Sequence, residues 1–236
     1  MFKKYICKLI FRVSIFSFFI YMYIFSNNLL KDVLLSKVHG ITPMNIIWLI
    51  LMVEMIIQIY PHSKISMGCL KQFRNKYTPP EKEYDKLYLY ENVQHMNMAA
   101  VKVLLVWLFF NAIIGILYLI GILDVQELLL ITMLYYVCDL ICVIIWCPFQ
   151  SLIMKNRCCV NCRIFNWGHF MMYTPMLFIR SFFSWSLFFM SILILIRWEF
   201  VYIKYPERFW EGSNASLKCS NCNDKMCKIK KPIVVD

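Results

Sequence analysis

Glycine and proline are scarce in this chain, six and eight among 236 residues. The scarcity excludes the enzyme classes built on glycine loops. No phosphate-cradling G-x-x-x-x-G-K run, no G-x-S-x-G nucleophile elbow and no H-E-x-x-H zinc helix occurs. Acidic residues are also few, 14 against 25 Lys and Arg, a formal net charge of +11. Nothing in the chain resembles the stacking-aromatic or glycine-rich motif of a nucleic-acid module, so the positive balance does not imply a nucleic-acid partner. After the first apolar run the chain reads "FSNNLLKD", without the small residues that precede a cleavage site. The run therefore fits an uncleaved span better than a signal peptide.

What is present is apolar surface. Hydrophobic residues make up 61% of the chain and charged ones only 17%, where soluble domains carry about a quarter charged. A core of this length cannot hide so much apolar surface, so the lipid bilayer is the expected partner and solvent. The expected fold is an all-α integral membrane bundle of six transmembrane helices, with five the alternative, followed by a short basic cysteine-rich tail. The domain boundary falls between residues 1–206 and 207–236.

Spans are expected from the N-terminus to near Phe25, from about Asn45 to Tyr60 before Pro61, from Ala99 to Ile122, and from Leu128 to Trp146 before Pro148. The second, at about 16 residues, is short for a crossing that needs roughly 20. "TPPE" (Thr78–Glu81) carries the signature of a helix start, with Thr78 as cap and Glu81 completing a capping box, and that helix should run unbroken into the third span. The region from Phe165 to Tyr205 is long for one crossing and tight for two, because Pro175 and the serines of "RSFFSWS" interrupt it.

Charge bias favours six crossings. A cytoplasmic N-terminus places Lys64, Lys71, Arg74, Lys76, Lys82, Lys86, Lys155, Arg157 and Arg163 on the same side. The opposite side receives only Lys31 and Lys37, and a sixth crossing returns the basic tail to the positive side. The expected location is the cell membrane. Arg197 and Glu199 around Trp198 resemble an interfacial belt at the end of the last span.

Three spans carry a polar residue near their centre: Glu54, Asn111 and Asp139. A charge at mid-bilayer costs about 2.5–3.5 kcal/mol on insertion scales. Such groups either form a shared site for a proton, cation or polar substrate, or hydrogen-bond neighbouring helices and hold the bundle together.

The eleven cysteines cannot all pair internally. Cys138, Cys142 and Cys147 lie in an apolar run, where a thiol acts as a small hydrophobe. Two Cys-x-x-Cys pairs, Cys159 with Cys162 and Cys219 with Cys222, have the spacing of thiolate pairs that close a tetrahedral zinc site, with Cys158 and Cys227 as extras. The basic residues Arg157, Arg163, Lys218 and Lys225 would offset thiolate charge and equally lower thiol pKa for redox chemistry. His169 with Met171 and Met172 offers soft copper ligands, but the methionines lack a repeat and packing is their expected role. In the spacing of its cysteine pairs near a helical bundle, the chain resembles the disulfide-forming quinone reductases. That resemblance implies a membrane thiol-disulfide oxidoreductase using Cys-x-x-Cys pairs and a quinone. The leading expectation is instead a transporter or transport accessory, using the midplane polar groups and a structural zinc-thiolate site at the cytoplasmic surface.

Overall fold

Long apolar runs leave the backbone one local way to satisfy its own N–H and C=O groups, the α-helix. In the computed structural model, which describes residues 2–25, 41–59, 72, 76–81 and 83–221, each run forms one. The helices are α1 Phe2–Phe25, α2 Pro43–Ile59, α3 Lys86–Leu119, α4 Val125–Ile144, α5 Gly168–Tyr173 and α6 Phe182–Lys204, and no strand occurs among the described residues. Four of them, α1, α3, α4 and α6, are long and apolar enough to cross a membrane, whereas α2 has 17 residues.

Contacts fix the directions of the helices. Tyr5 of α1 packs with Leu140, Ile144 and Cys147 at the end of α4. Phe19 and Met22 meet Leu130 and Met133 near its start, so the two helices are antiparallel. Trp48 of α2 donates to Ser186 Oγ of α6 at 2.7 Å, and Leu51 and Ile59 belong to the cluster that holds Ile194 and Trp198. The starts of α1 and α3 and the ends of α2, α4 and α6 thus gather at one end of the bundle, called here the near end. Gly121, with φ +80°, ends α3 at the far end, where a Cβ-bearing residue would be strained.

Between Trp167 and Phe178 the chain runs along the bundle from the near end to the far end. Trp167 Nε1 donates to Glu199 at 2.9 Å, the Phe170 and Phe188 rings lie 6.5 Å apart, and Trp185 Nε1 donates to the Leu177 carbonyl at 3.2 Å. Against α3 the order is the same: Trp167 beside Ala99 and Ala100, Thr174 accepting from Trp107 Nε1 at 3.1 Å, and Phe178 on Gly115. Pro175 cannot donate to a helical carbonyl, and after Tyr173 the chain tightens to a 3₁₀ segment, Thr174–Phe178. Six α-helical and five 3₁₀ residues span roughly 19 Å, less than a straight helix of a full crossing. Ser181 then caps α6, accepting from Ser184 N at 3.2 Å.

Two local expectations are corrected. The helix before the third span does not start at "TPPE". It starts at Lys86, with Asp85 as cap accepting from Leu87 N at 2.8 Å. Thr78 and Pro79 each precede a proline, which disfavours helical backbone. Thr78 instead accepts from Ala215 N at 2.8 Å and donates to Asn214 Oδ1 at 3.4 Å. From Lys86 the helix does run unbroken through the third span. Nor do all three belt residues face outwards: Arg197 is exposed, but Trp198 is buried in the α2–α6 core and Glu199 is paired inwards with Arg163.

Residues 206–221 fold back over the near end. Leu217 is 1% exposed, Phe209 packs edge-on against Tyr202 at 4.9 Å, and Asn161 Nδ2 donates to the Leu217 carbonyl at 2.7 Å. Asn214 organises this return. It is fully buried, donates to the Arg208 carbonyl at 2.9 Å and accepts from the Ser216 backbone N–H and hydroxyl. The Asn214-Ala215-Ser216 sequon is therefore inaccessible to glycosylation in the folded protein. Asn214→Ala should destabilise the tail by about 1–3 kcal/mol, since it strands partners inside the fold. Limited proteolysis checks this, with new cleavage expected between residues 206 and 218 while the helices stay intact.

Candidate functional site

α1, α2 and α4 present charged and polar side chains at helical spacing to a common space near the near end. On α1 these are Lys8 and Arg12, one turn apart; on α2, Glu54 with Gln58; on α4, Tyr136 and Asp139. Lys8 Nζ lies 2.9 Å from Glu54 Oε1. Arg12 Nη1 donates to Asp139 Oδ2 at 3.0 Å and to the Tyr136 carbonyl at 2.7 Å, and Arg12 Nη2 lies 3.9 Å from Glu54 Oε1. The guanidinium also sits 3.8 Å over the Tyr136 ring, a cation–π contact that strengthens when desolvated. Arg12 is only 4% exposed, and its Nε has no hydrogen-bond partner among the described residues.

These groups line a cavity of about 330 Å³, closed on one side by Gly168 and the buried His169. A Cβ on Gly168 would sit 2.6 Å from Asp139 Oδ1, so this glycine is what lets the carboxylate lie against the broken segment.

Of the sequence-derived polar residues, Glu54 and Asp139 are brought together, with Arg12 between them. Asn111 is not. Its amide donates to the Trp107 carbonyl of its own helix at 2.9 Å, and its Oδ1 has no partner among the described residues. The cluster also holds Lys8, Arg12, Tyr136 and His169, which the sequence reading did not assign to it. A lysine and an arginine at i and i+4, the second about 15 Å into an apolar helix, were the available signal.

Behind Asp139 lies a second cavity of about 410 Å³, apolar and rich in sulfur. Cys138, Cys142, Cys147, Cys159 and Cys162 line it, with Trp107 and Met171. Asp139, Val143, Phe165 and Gly168 are common to the walls of both cavities.

Of the expected zinc ligands, the structure describes Cys158, Cys159, Cys162 and Cys219. Cys159 packs into the α1–α4 cluster and Cys162 into the α3 cluster, while Cys219 is exposed. Cys222 and Cys227 lie outside the described residues. Among the described residues no three His, Cys, Asp or Glu side chains are placed to hold a metal ion. His169 lines the charged cavity, whereas Met171 and Met172 both line the sulfur-rich one.

Removing one member of a buried ion pair costs about 3–5 kcal/mol, because its partner is left charged without compensation. Glu54 and Asp139 keep 26% and 27% of their side-chain surface exposed, which places Arg12→Gln at the low end, about 3 kcal/mol. Lys8 is 40% exposed, so Lys8→Gln should cost under about 1 kcal/mol. Thermal unfolding of the purified variants should show this ranking. No protein family, curated protein or solved structure matches this chain.

Proposed function

We propose that the chain is a multi-pass helical membrane protein, a transporter or transport accessory that handles a small polar solute at the Arg12–Glu54–Asp139 cluster. One observation carries the reading: polarity is inverted. Among the described residues the most deeply enclosed charge, Arg12, is 4% exposed, whereas Leu119 and Ile203 on the outer faces are 73% and 76% exposed. Water would reverse that distribution, and hydrocarbon would favour it. Ionisable groups within membrane helices are costly and mark solute or proton pathways. The formal charges of Lys8, Arg12, Glu54 and Asp139 cancel, so a solute with both a negative and a positive group could exchange partners with them.

Six crossings follow from counting the broken segment Gly168–Phe178 as one crossing, since it runs parallel to α3 and antiparallel to α6. The N-terminus, the cysteine loop and the tail then share the cytoplasmic side. Reporters placed after Asp236 and near Lys71 should both read cytoplasmic. An external signal after Asp236 would remove the sixth crossing.

The site is tested by thermal stabilisation of purified protein against a panel of amino acids and other small polar solutes. A ligand at 100 times its Kd adds about 2.7 kcal/mol. A hit should stabilise the wild type and lose its effect in Glu54→Gln/Asp139→Asn, which keeps side-chain size and hydrogen bonding. Hits that stabilise both proteins equally would place binding elsewhere.

The thiol-disulfide oxidoreductase reading is favoured by the five cysteines on one cavity, with Cys142 and Cys147 in side-chain hydrogen-bonding contact. Two thiols would give two electrons and two protons to a quinone, forming one disulfide and a quinol.

A further inference from the structure

At the near end a separate cavity of about 250 Å³ is enclosed by the start of α3, the loop after α4, the end of α6 and the returning tail. Lys155, Arg157, Asn161, Arg163, Tyr202 and Glu211 are among its lining residues. Two of these residues hold buried polar atoms with no hydrogen-bond partner among the described residues, Asn161 Oδ1 and Arg163 Nε, while the Tyr202 hydroxyl is engaged by the Arg163 side chain. Of these, Arg163 Nε is a donor and Asn161 Oδ1 an acceptor. Buried donors are almost always satisfied in folded proteins, so Arg163 Nε lacks an acceptor.

The charge is also incomplete. Arg163 is neutralised by Glu199, Nη2 to Oε2 at 2.6 Å. Arg157 meets Glu211 only at 3.9 Å, with both side chains more than 40% exposed, so this pair is weak. Lys155 has no ion pair among the described residues, and the lining carries three cations against the single carboxylate of Glu211.

Lys155 is held where it is at a conformational cost. Its φ of 46° is the one positive value for a non-glycine among the described residues. The turn that imposes it is closed by Gln150 and Asn156, whose backbone N–H donates to the Gln150 carbonyl at 3.1 Å while Gln150 Nε2 donates back to the Asn156 carbonyl. A residue kept in this region by surrounding hydrogen bonds is a mark of a functional position.

We propose that this cavity binds a phosphate-bearing anion, held by Lys155 and Arg157, with Arg163 Nε as a further donor. A tetrahedral oxyanion offers several acceptors to converging N–H groups, and the cavity is below the usual range for larger organic ligands. Glu211 competes with the anion for Arg157 and exchanges places with it. The phosphate comes either from solution or from a lipid headgroup.

The full-length protein tests this in two settings. In phosphate-free detergent, inorganic phosphate is titrated against chloride at equal ionic strength. In nanodiscs, phosphatidylglycerol is compared with phosphatidylcholine. The variant is Lys155→Gly/Arg157→Gln, in which glycine relieves the backbone strain, so loss of fold does not confuse the result. Phosphate should raise the wild-type unfolding temperature and bind the variant about tenfold or more weakly, by loss of two charge-assisted contacts. Stabilisation by inorganic phosphate identifies a soluble ligand. Stabilisation only by phosphatidylglycerol, lost in the variant, identifies a lipid headgroup. Equal response of wild type and variant in both settings, or no response in either, overturns the proposal.

Discussion

Arg12 is the constraint around which the interior is arranged. A guanidinium enclosed in an apolar bundle must be matched by acceptors from other helices, because its own helix has none to offer. Asp139 and the Tyr136 carbonyl supply them from α4, and Glu54 approaches from α2, already engaged by Lys8. One side chain therefore fixes the rotation of α1 against two neighbours. Apolar packing alone would leave that rotation less specified, since apolar side chains of similar size are readily exchanged at a helix interface. The four charged side chains of this pairing line a cavity.

The near end closes over this arrangement in two layers. The loop after α4 winds through a π-helical turn at Phe149–Ile153 and two 3₁₀ turns before entering the broken segment. Over it lies the returning tail, pinned by Asn214 to Thr78 and by Leu217 to Asn161. Glu199 joins the layers to α6, accepting from both Arg163 and Trp167. The two inner cavities meet at Asp139 and Gly168, where the absence of a side chain on the glycine keeps the carboxylate in place.

The helices were legible because uninterrupted apolar runs have one stable local form, and, the start of α3 apart, observed ends lie within a few residues of those read from sequence. The segment at Gly168–Phe178 was not decidable from length, since Pro175 changes the rise per residue part-way along. "TPPE" misled because a capping pattern is local, whereas the Thr78 backbone is held by residues 136 and 137 positions further on. Glu54 and Asp139 stood out by the cost of their position. Arg12 did not, because a cation near an N-terminus is normally an orientation signal, and its burial depends on tertiary packing. Cys-x-x-Cys spacing brought Cys159 and Cys162 to one cavity wall, but not Cys219 with them.

The central claim is that Arg12 and Asp139 are coupled within the bundle as one ion pair around a binding cavity. A double-mutant cycle with Arg12→Gln and Asp139→Asn, read by equilibrium unfolding of the purified protein, measures that coupling directly. Contacting charged pairs couple by about 0.5–3 kcal/mol, and this pair is expected in the upper half of that range. Strictly additive effects, within about 0.3 kcal/mol, would contradict the account.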